Sequence, residues 1–167
     1  MHLDDEPRLV VRRVSLDDPP TRDLVDAVQG EYVARYGGPD ETPLTAAQFE
    51  PPTGIFLLGE LGGDPVACGG LRRQDPETAE IKRMYVVPDS RRRGLARTML
   101  SQLEHAATTA GYSRVVLESG RKQPEALALY LASGYTPVSP YGHYRHHAHS
   151  LGKALTSPTD RLTAPPG

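Results

Sequence analysis

The chain has 167 residues, a formal charge of −2 and 24% charged residues, which suits one α/β domain with its own core and argues against a general nucleic-acid or polyanion binder. Cys68 is the only cysteine, so an internal disulfide is excluded and a reducing, cytoplasmic setting is expected. No apolar run approaches the roughly 20 residues that span a bilayer, and the acidic start from Met1 to Glu6 is unlike a signal peptide, so no membrane partner is expected.

Arg8 to Val14 reads as an opening strand, and Ser15 to Pro20 supplies turn and helix-start chemistry. From Thr21 the apolar Leu24, Val25, Val28, Tyr32 and Val33 lie three to four apart, which predicts an amphipathic helix stopped near Gly37-Gly38. Pro39 to Pro52 is irregular, with a short helix expected at Thr45 to Glu50. Gly54 to Leu61 and Pro65 to Arg72 read as two strands of a hairpin turned by Gly62-Gly63-Asp64. After a turn at Asp75-Pro76-Glu77, a strand from Glu80 continues the antiparallel meander as far as Pro88, which cannot donate to a ladder. Strand alternation puts Glu80 on one face with Lys82, Met84 and Val86.

Beyond Ser90, Leu95, Met99, Leu100, Leu103, Ala107 and Ala110 recur at helical spacing and Gly111 supplies a stop. Arg114 to Glu118 is an apolar strand, Pro124 to Ser133 a second helix with proline in its first turn, and Tyr135 to Val138 and His149 to Leu155 the last two strands. Thr156 to Gly167, rich in Pro, Thr and Ser, reads as a flexible tail.

The most informative stretch is Arg91-Arg92-Arg93-Gly94-Leu95-Ala96, between a strand and a helix. A turn of successive N–H groups at a helix start gathers unpaired donors and the positive end of the dipole, which favours an anion. Gly94 and Ala96 leave room for a diphosphate to reach the backbone, and the arginines add permanent charge. The spacing fits neither a Walker A loop nor the three-glycine dinucleotide fingerprint.

At these residues the sequence resembles the GCN5-related N-acetyltransferase (GNAT) family, whose acetyl-coenzyme A loop reads Gln/Arg-x-x-Gly-x-Gly/Ala; Arg91, Gly94 and Ala96 fit in register. Ala79 to Val86 is similar to the family's fourth strand, with an acidic residue near its start, and Glu125 to Tyr135 to its later helix, with Tyr130 four residues before Gly134. The resemblance covers roughly Val10 to Leu155. It implies one GNAT-like α/β (α+β) domain at 8–155 between tails at 1–7 and 156–167. The implied fold is a mostly antiparallel, mixed central sheet of six to seven strands, flanked by helices on both faces and splayed between strands four and five.

The resemblance also implies an acetyl-coenzyme A-dependent N-acetyltransferase in which a primary amine attacks the thioester directly, without a metal. The co-substrate would be held by Met84, Val86, Arg91, Arg92, Arg93, Gly94, Leu95, Ala96, Arg97 and Gln123, the last standing where many relatives carry asparagine. Val86 would act through its backbone, beside the splay. Glu80 is the implied base and Tyr130 the implied acid. Dimers are common in the family, so a homodimer is compatible with it.

Each role has a plainer reading beside it. An alkylamine near pKa 10 carries a handicap of about 4 kcal/mol at pH 7, so a base is useful, yet Glu80 could simply pair with Arg83, Lys82 or another cation. Tyr130 would hydrogen-bond the departing thiolate or merely pack on its helix. Glu118, Ser119 and Gly120 end the adjacent strand and face either the acceptor or solvent. Arg72, Arg73 and Arg83 would attract an acceptor carboxylate or serve as surface charge. Cys68 reads as a packed thiol, and His143, His146, His147 and His149 lack a recognised metal spacing.

A small-molecule or amino-acid-like amine is the favoured acceptor, with a protein amine still open. Two rival functions remain: a sensor that binds acyl-coenzyme A without turnover, and a nucleic-acid module built on Arg91 to Arg93, which the near-neutral charge disfavours.

Overall fold

The computed structural model describes residues 6–156; residues 1–5 and 157–167, which hold most of the two expected tails, lie outside the described residues. Strand β1 (Val10–Val14) leads into helix α1 (Pro19–Tyr36), which starts two residues earlier than its apolar spacing indicates because Pro19 and Pro20 fit a first turn. Its end is set by Gly37 at φ 81°, whose N–H returns to the Val33 carbonyl at 2.9 Å. A single 3₁₀ turn at Ala46–Phe49 precedes β2 (Ile55–Leu61), and Gly62 and Gly63, both at positive φ, turn the chain into β3 (Asp64–Asp75).

Strands β4 (Thr78–Val86) and β5 (Arg114–Gly120) are joined through helix α2 (Leu95–Thr109). Helix α3 (Pro124–Ala132), β6 (Thr136–Pro137) and β7 (Ala148–Ala154) complete the fold. β6 is shorter than the expected Tyr135 to Val138, although Val138 still donates its N–H to the Ser150 carbonyl at 3.0 Å.

The strands form one seven-stranded sheet in the order β1-β2-β3-β4-β5-β7-β6. All neighbours are antiparallel except β4 and β5, which run parallel and pair only from Thr78, Ala79 and Glu80 to Arg114, Val115 and Val116. Past those three pairs the strands part, and this split positions the site.

Each face of the sheet buries its own core. Leu57, Ala67, Leu71, Ile81, Val115 and Leu117 pack with Met99, Leu100 and Leu103 of α2 and with Tyr130 of α3. Phe56, Leu58, Cys68 and Tyr85 pack on the other face with Leu24 and Val28 of α1 and with Phe49. The alternation Phe56, Leu57, Leu58 between the two clusters follows from the period of two along a strand.

One expectation fails here. Glu80, Lys82, Met84 and Val86 do not share a face, because β4 carries a bulge: Lys82 lies opposite Gly70 but Tyr85 opposite Cys68, so β4 spends one residue more than β3. Arg83 takes up the extra residue with φ 59°, a left-handed conformation that costs a non-glycine residue roughly 1 kcal/mol. Ahead of the bulge Ala79 and Ile81 face α2, leaving Glu80 and Lys82 on the α1 side; beyond it Met84 and Val86 pack with the α2 cluster and Tyr85 with α1.

Candidate active site

Where β4 ends, Val87 donates its N–H to the Val66 carbonyl at 2.9 Å, so Val66 and Val87 are a hydrogen-bonded pair and Ala67 and Val86 the neighbouring non-bonded pair. Val86 therefore aims its N–H and C=O away from β3, at the edge β5 has left. Arg91 Nε donates to that carbonyl at 2.8 Å, while another nitrogen of Arg91 meets Glu31 of α1 at 2.5 Å and the guanidinium sits 5.5 Å from the Tyr85 ring centre. Arg91 thus braces α1 against the end of β4.

The turn that follows is built for an anion. Arg92 and Gly94 both adopt positive φ, 67° and 76°, and Gly94 is the N-cap of α2 with no side chain capping it. The first helical bond runs from Thr98 N–H to Gly94 C=O at 3.1 Å, so the N–H groups of Leu95, Ala96 and Arg97 have no partner within the helix. A Cβ built on Gly94 would meet nothing within 4 Å, so the turn opens onto free space.

That space is a groove of about 740 Å³. Of the residues expected at the site, Met84, Val86, Arg91, Arg92, Gly94, Leu95, Ala96, Arg97, Gln123 and Tyr130 line it; Arg93 and Glu80 do not. Gln123 is the N-cap of α3. Reading the sequence missed Glu31 and Arg35, whose helix carries no motif. Arg35, Arg91, Arg92 and Arg97 outnumber Glu31 and Glu125, so the lining favours an anion.

Tyr130 stands at the inner end, 8% exposed, with its ring packed edge-on to Tyr135 at 5.7 Å. Burial pushes its hydroxyl up to about 12. Tyr32 of α1 is raised too, first by burial, and its phenol feels the Arg83 guanidinium, the Tyr130 hydroxyl and the Asp40 carboxylate. Tyr32 packs on the α1 side of the sheet, where Lys82 and Arg83, directly ahead of groove-lining Met84 in β4, enter a second, charged neighbourhood.

In that neighbourhood Glu80 is 2% exposed and fully engaged: Arg72 meets its Oε1 through Nε at 2.9 Å and a terminal nitrogen at 2.8 Å, and Tyr141 donates its hydroxyl to Oε2 at 2.8 Å. Asp40 receives Lys82 Nζ at 3.3 Å, the Arg83 guanidinium, and both the N–H and hydroxyl of Thr42. Burial alone would raise Asp40, but Lys82, Arg83 and Thr42 together bring it down to about 2.

Glu118 differs from both. It lies two residues past the last β4–β5 pair, accepts the Tyr144 N–H on Oε2 at 3.1 Å, and has Oε1 buried without a partner among the described residues. Burial raises its carboxyl, with Glu80 and Asp40 adding to the effect and Lys82 opposing it. Gly142 permits this fit, since a Cβ there would stand 2.2 Å from Oε1.

Cys68 is fully buried, donates to the Arg83 carbonyl at 3.4 Å and is pushed up to about 12 by burial, which makes it unsuitable as a nucleophile. His143, His146, His147 and His149 are exposed. Among the described residues no group of three or more His, Cys, Asp or Glu is arranged to hold a metal, and no helix is long and apolar enough to cross a membrane.

A mixed sheet parted between two parallel strands, opening onto an uncapped basic helix start, defines an acyl-coenzyme A transferase fold. The acetyltransferase (GNAT) family matches residues 21–135, more than half of the chain, and the chain belongs to that family. An IAA acetyltransferase of Azospirillum brasilense is 34% identical over 90 residues, 53% of this chain and 59% of that protein, so the match spans less than two thirds of that relative's length. A Klebsiella pneumoniae protein described as an acyl-CoA N-acyltransferase superposes with a TM-score of 0.74 at 25% identity, covering 89% of this chain and 98% of that one. PaiA N-acetyltransferase from Thermoplasma acidophilum, solved in complex with coenzyme A, shares the fold at a TM-score of 0.68 and 14% identity over 88% of this chain and 99% of its own.

Proposed function

We propose that this protein is an acetyl-coenzyme A-dependent N-acetyltransferase that acetylates a primary amine by direct attack on the thioester. The observation that carries the reading is the parting of β4 from β5 beside Val86, with a basic groove leading from there to the uncapped start of α2. A small-molecule amine is the favoured acceptor over a protein amine. A cytoplasmic setting belongs to the same proposal, supported by a single, buried cysteine.

The groove fits acetyl-coenzyme A in volume, charge and donor set. Its diphosphate would be held by the free N–H groups of Leu95, Ala96 and Arg97 with the Arg92 and Arg97 side chains, and its pantetheine would lie along the Val86 edge. When bound, it supplies an activated acetyl thioester. With the Tyr130 hydroxyl near 12 and an ordinary thiol near 8.5, full proton transfer to a thiolate would run uphill by about 5 kcal/mol, so Tyr130 acts by donating a hydrogen bond to the sulfur.

Two carboxylates compete for the role of base. Glu80 already holds Arg72 on one oxygen and the Tyr141 hydroxyl on the other, whereas Glu118 keeps one oxygen without a partner among the described residues and burial raises its affinity for a proton. We therefore assign the proton to Glu118 and give Glu80 the positioning of Tyr141. Calorimetry with acetyl-coenzyme A, followed by coenzyme A thiol release over an amine panel, tests the reading. Failure to bind refutes it, and binding without thiol release supports the sensor alternative.

A further inference from the structure

Given the acetyltransferase reading above, we infer that the acceptor carries a carboxylate beside its amine: an amino-acid-like zwitterion, its carboxylate met by Lys82 and Arg83 and its amine by Glu118. The inference rests on two buried polar atoms of opposite character that have no partner among the described residues, Arg83 Nε and Glu118 Oε1. Buried polar groups are nearly always hydrogen-bonded, so an unpartnered donor and an unpartnered acceptor in one neighbourhood suggest a ligand that brings the complement of each.

The charges agree. Arg72 and Glu80 pair with each other, while Lys82 and Arg83 share the single carboxylate of Asp40, leaving one positive charge in excess on that side. Lys82 Nζ bonds Asp40 and Thr42, each at 3.3 Å, and still has a third donor to offer. Glu118 answers with one negative charge, and Tyr144 ties it to the cluster, donating its N–H to Glu118 Oε2 at 3.1 Å and accepting on its hydroxyl, at 2.6 Å, the N–H of Glu41 next to Asp40. A zwitterion supplies one charge to each side. A diamine or polyamine would meet two acidic groups, Asp40 and Glu80, already committed to cations, and would place its second charge against Lys82 and Arg83.

The cluster is tied to the groove through β4, in which Lys82 and Arg83 directly precede Met84, Tyr85 and Val86 of the groove lining. The bulge at Arg83 is what delivers this guanidinium to the α1 side, 5% exposed and beside Asp40.

The test uses the full chain and matched acceptors: L-phenylalanine against phenethylamine, L-leucine against 3-methylbutylamine, and L-lysine against cadaverine, read by coenzyme A thiol release. Carboxylate-bearing members are expected to exceed their decarboxylated partners about tenfold or more in kcat/KM, as suits a charge-assisted contact. A panel led by an amine without a carboxylate overturns the inference, as does a protein that binds acetyl-coenzyme A yet turns over no amino acid. Loss of acetyl-coenzyme A binding itself would instead defeat the parent reading. Lys82→Met, which keeps the Asp40–Arg83 pair, should raise KM for the amino acid about tenfold with KM for acetyl-coenzyme A within about twofold, and Lys82→Arg should restore it. Equal rises in both KM values would assign Lys82 a purely structural role and count against the inference.

Discussion

Replacing Asp40 with asparagine isolates the charge that holds Lys82 and Arg83 together. The loop itself should survive, because Gln29 grips the Asp40 backbone independently: its Oε1 accepts the Asp40 N–H at 2.8 Å and its Nε2 donates to the Asp40 carbonyl at 3.2 Å. In the wild type the carboxyl sits at about 2 against an ordinary 3.8, a depressed folded value. Its contribution is therefore present above the unfolded value and is lost as pH falls through the folded one. At ~1.36 kcal/mol per unit the ionised form adds about 2 kcal/mol at pH 7, about half of which has gone by pH 3. Urea unfolding of both proteins at pH 7, 4 and 3 should give Asp40→Asn a deficit of about 2–4 kcal/mol at neutrality that narrows with acidification. A deficit that stays constant from pH 7 to pH 3 would show that the pairing is not what the mutation removes.

Glu118→Gln should lower kcat/KM by about a hundredfold or more and remove the acidic limb of the pH–rate profile, which in the wild type lies above the ordinary carboxylate range because burial raises Glu118; a profile unchanged in the variant contradicts its role as base. Glu80→Gln should instead cost mainly stability, about 1–3 kcal/mol by chemical unfolding, since the half-buried Arg72 guanidinium loses its charged partner and keeps only the Pro43 carbonyl and Gln48. Tyr130→Phe should depress kcat about tenfold or more while leaving acetyl-coenzyme A affinity by calorimetry intact, and equal loss of both would mean that the ring rather than the hydroxyl matters. Gly94→Val places a branched side chain at φ 76° and into the groove, so stability should fall by about 1–2 kcal/mol while affinity for acetyl-coenzyme A falls about tenfold or more; unchanged affinity would remove the diphosphate from this turn.

Much of the fold was legible because its signals are local. Gly62-Gly63, Gly37, Gly111 and Pro88 each mark a boundary through backbone chemistry alone, and the apolar spacing from Leu95 to Ala107 names the buried side of α2. The groove was legible for the same reason, since its turn, helix start and strand end are contiguous in the chain. The charged cluster was not: Asp40, Arg72, Lys82, Glu118 and Tyr141 come from separate segments, and nothing in their spacing says that they meet. Glu31 was hidden likewise, because on a helix surface an acidic residue looks solvated until Arg91, sixty positions away, is seen to reach it.

The bulge at Arg83 was illegible for a different reason. A sequence of Lys-Arg-Met-Tyr carries no glycine to announce a left-handed residue, and the period of two runs on through it unless the register with β3 is known. Yet this one extra residue lets a single strand serve two neighbourhoods. Ahead of it, Glu80 and Lys82 face α1 and the charged cluster; beyond it, Met84 and Val86 turn to the α2 side and the groove, with the Val86 backbone on the open edge. An unbulged β4 would send Lys82 and Val86 to the same face. Deleting Arg83, by contrast, would leave Lys82 and Val86 on opposite faces and in register with β3 but remove the guanidinium from the cluster, so acetyl-coenzyme A binding by calorimetry should survive while acceptor turnover falls.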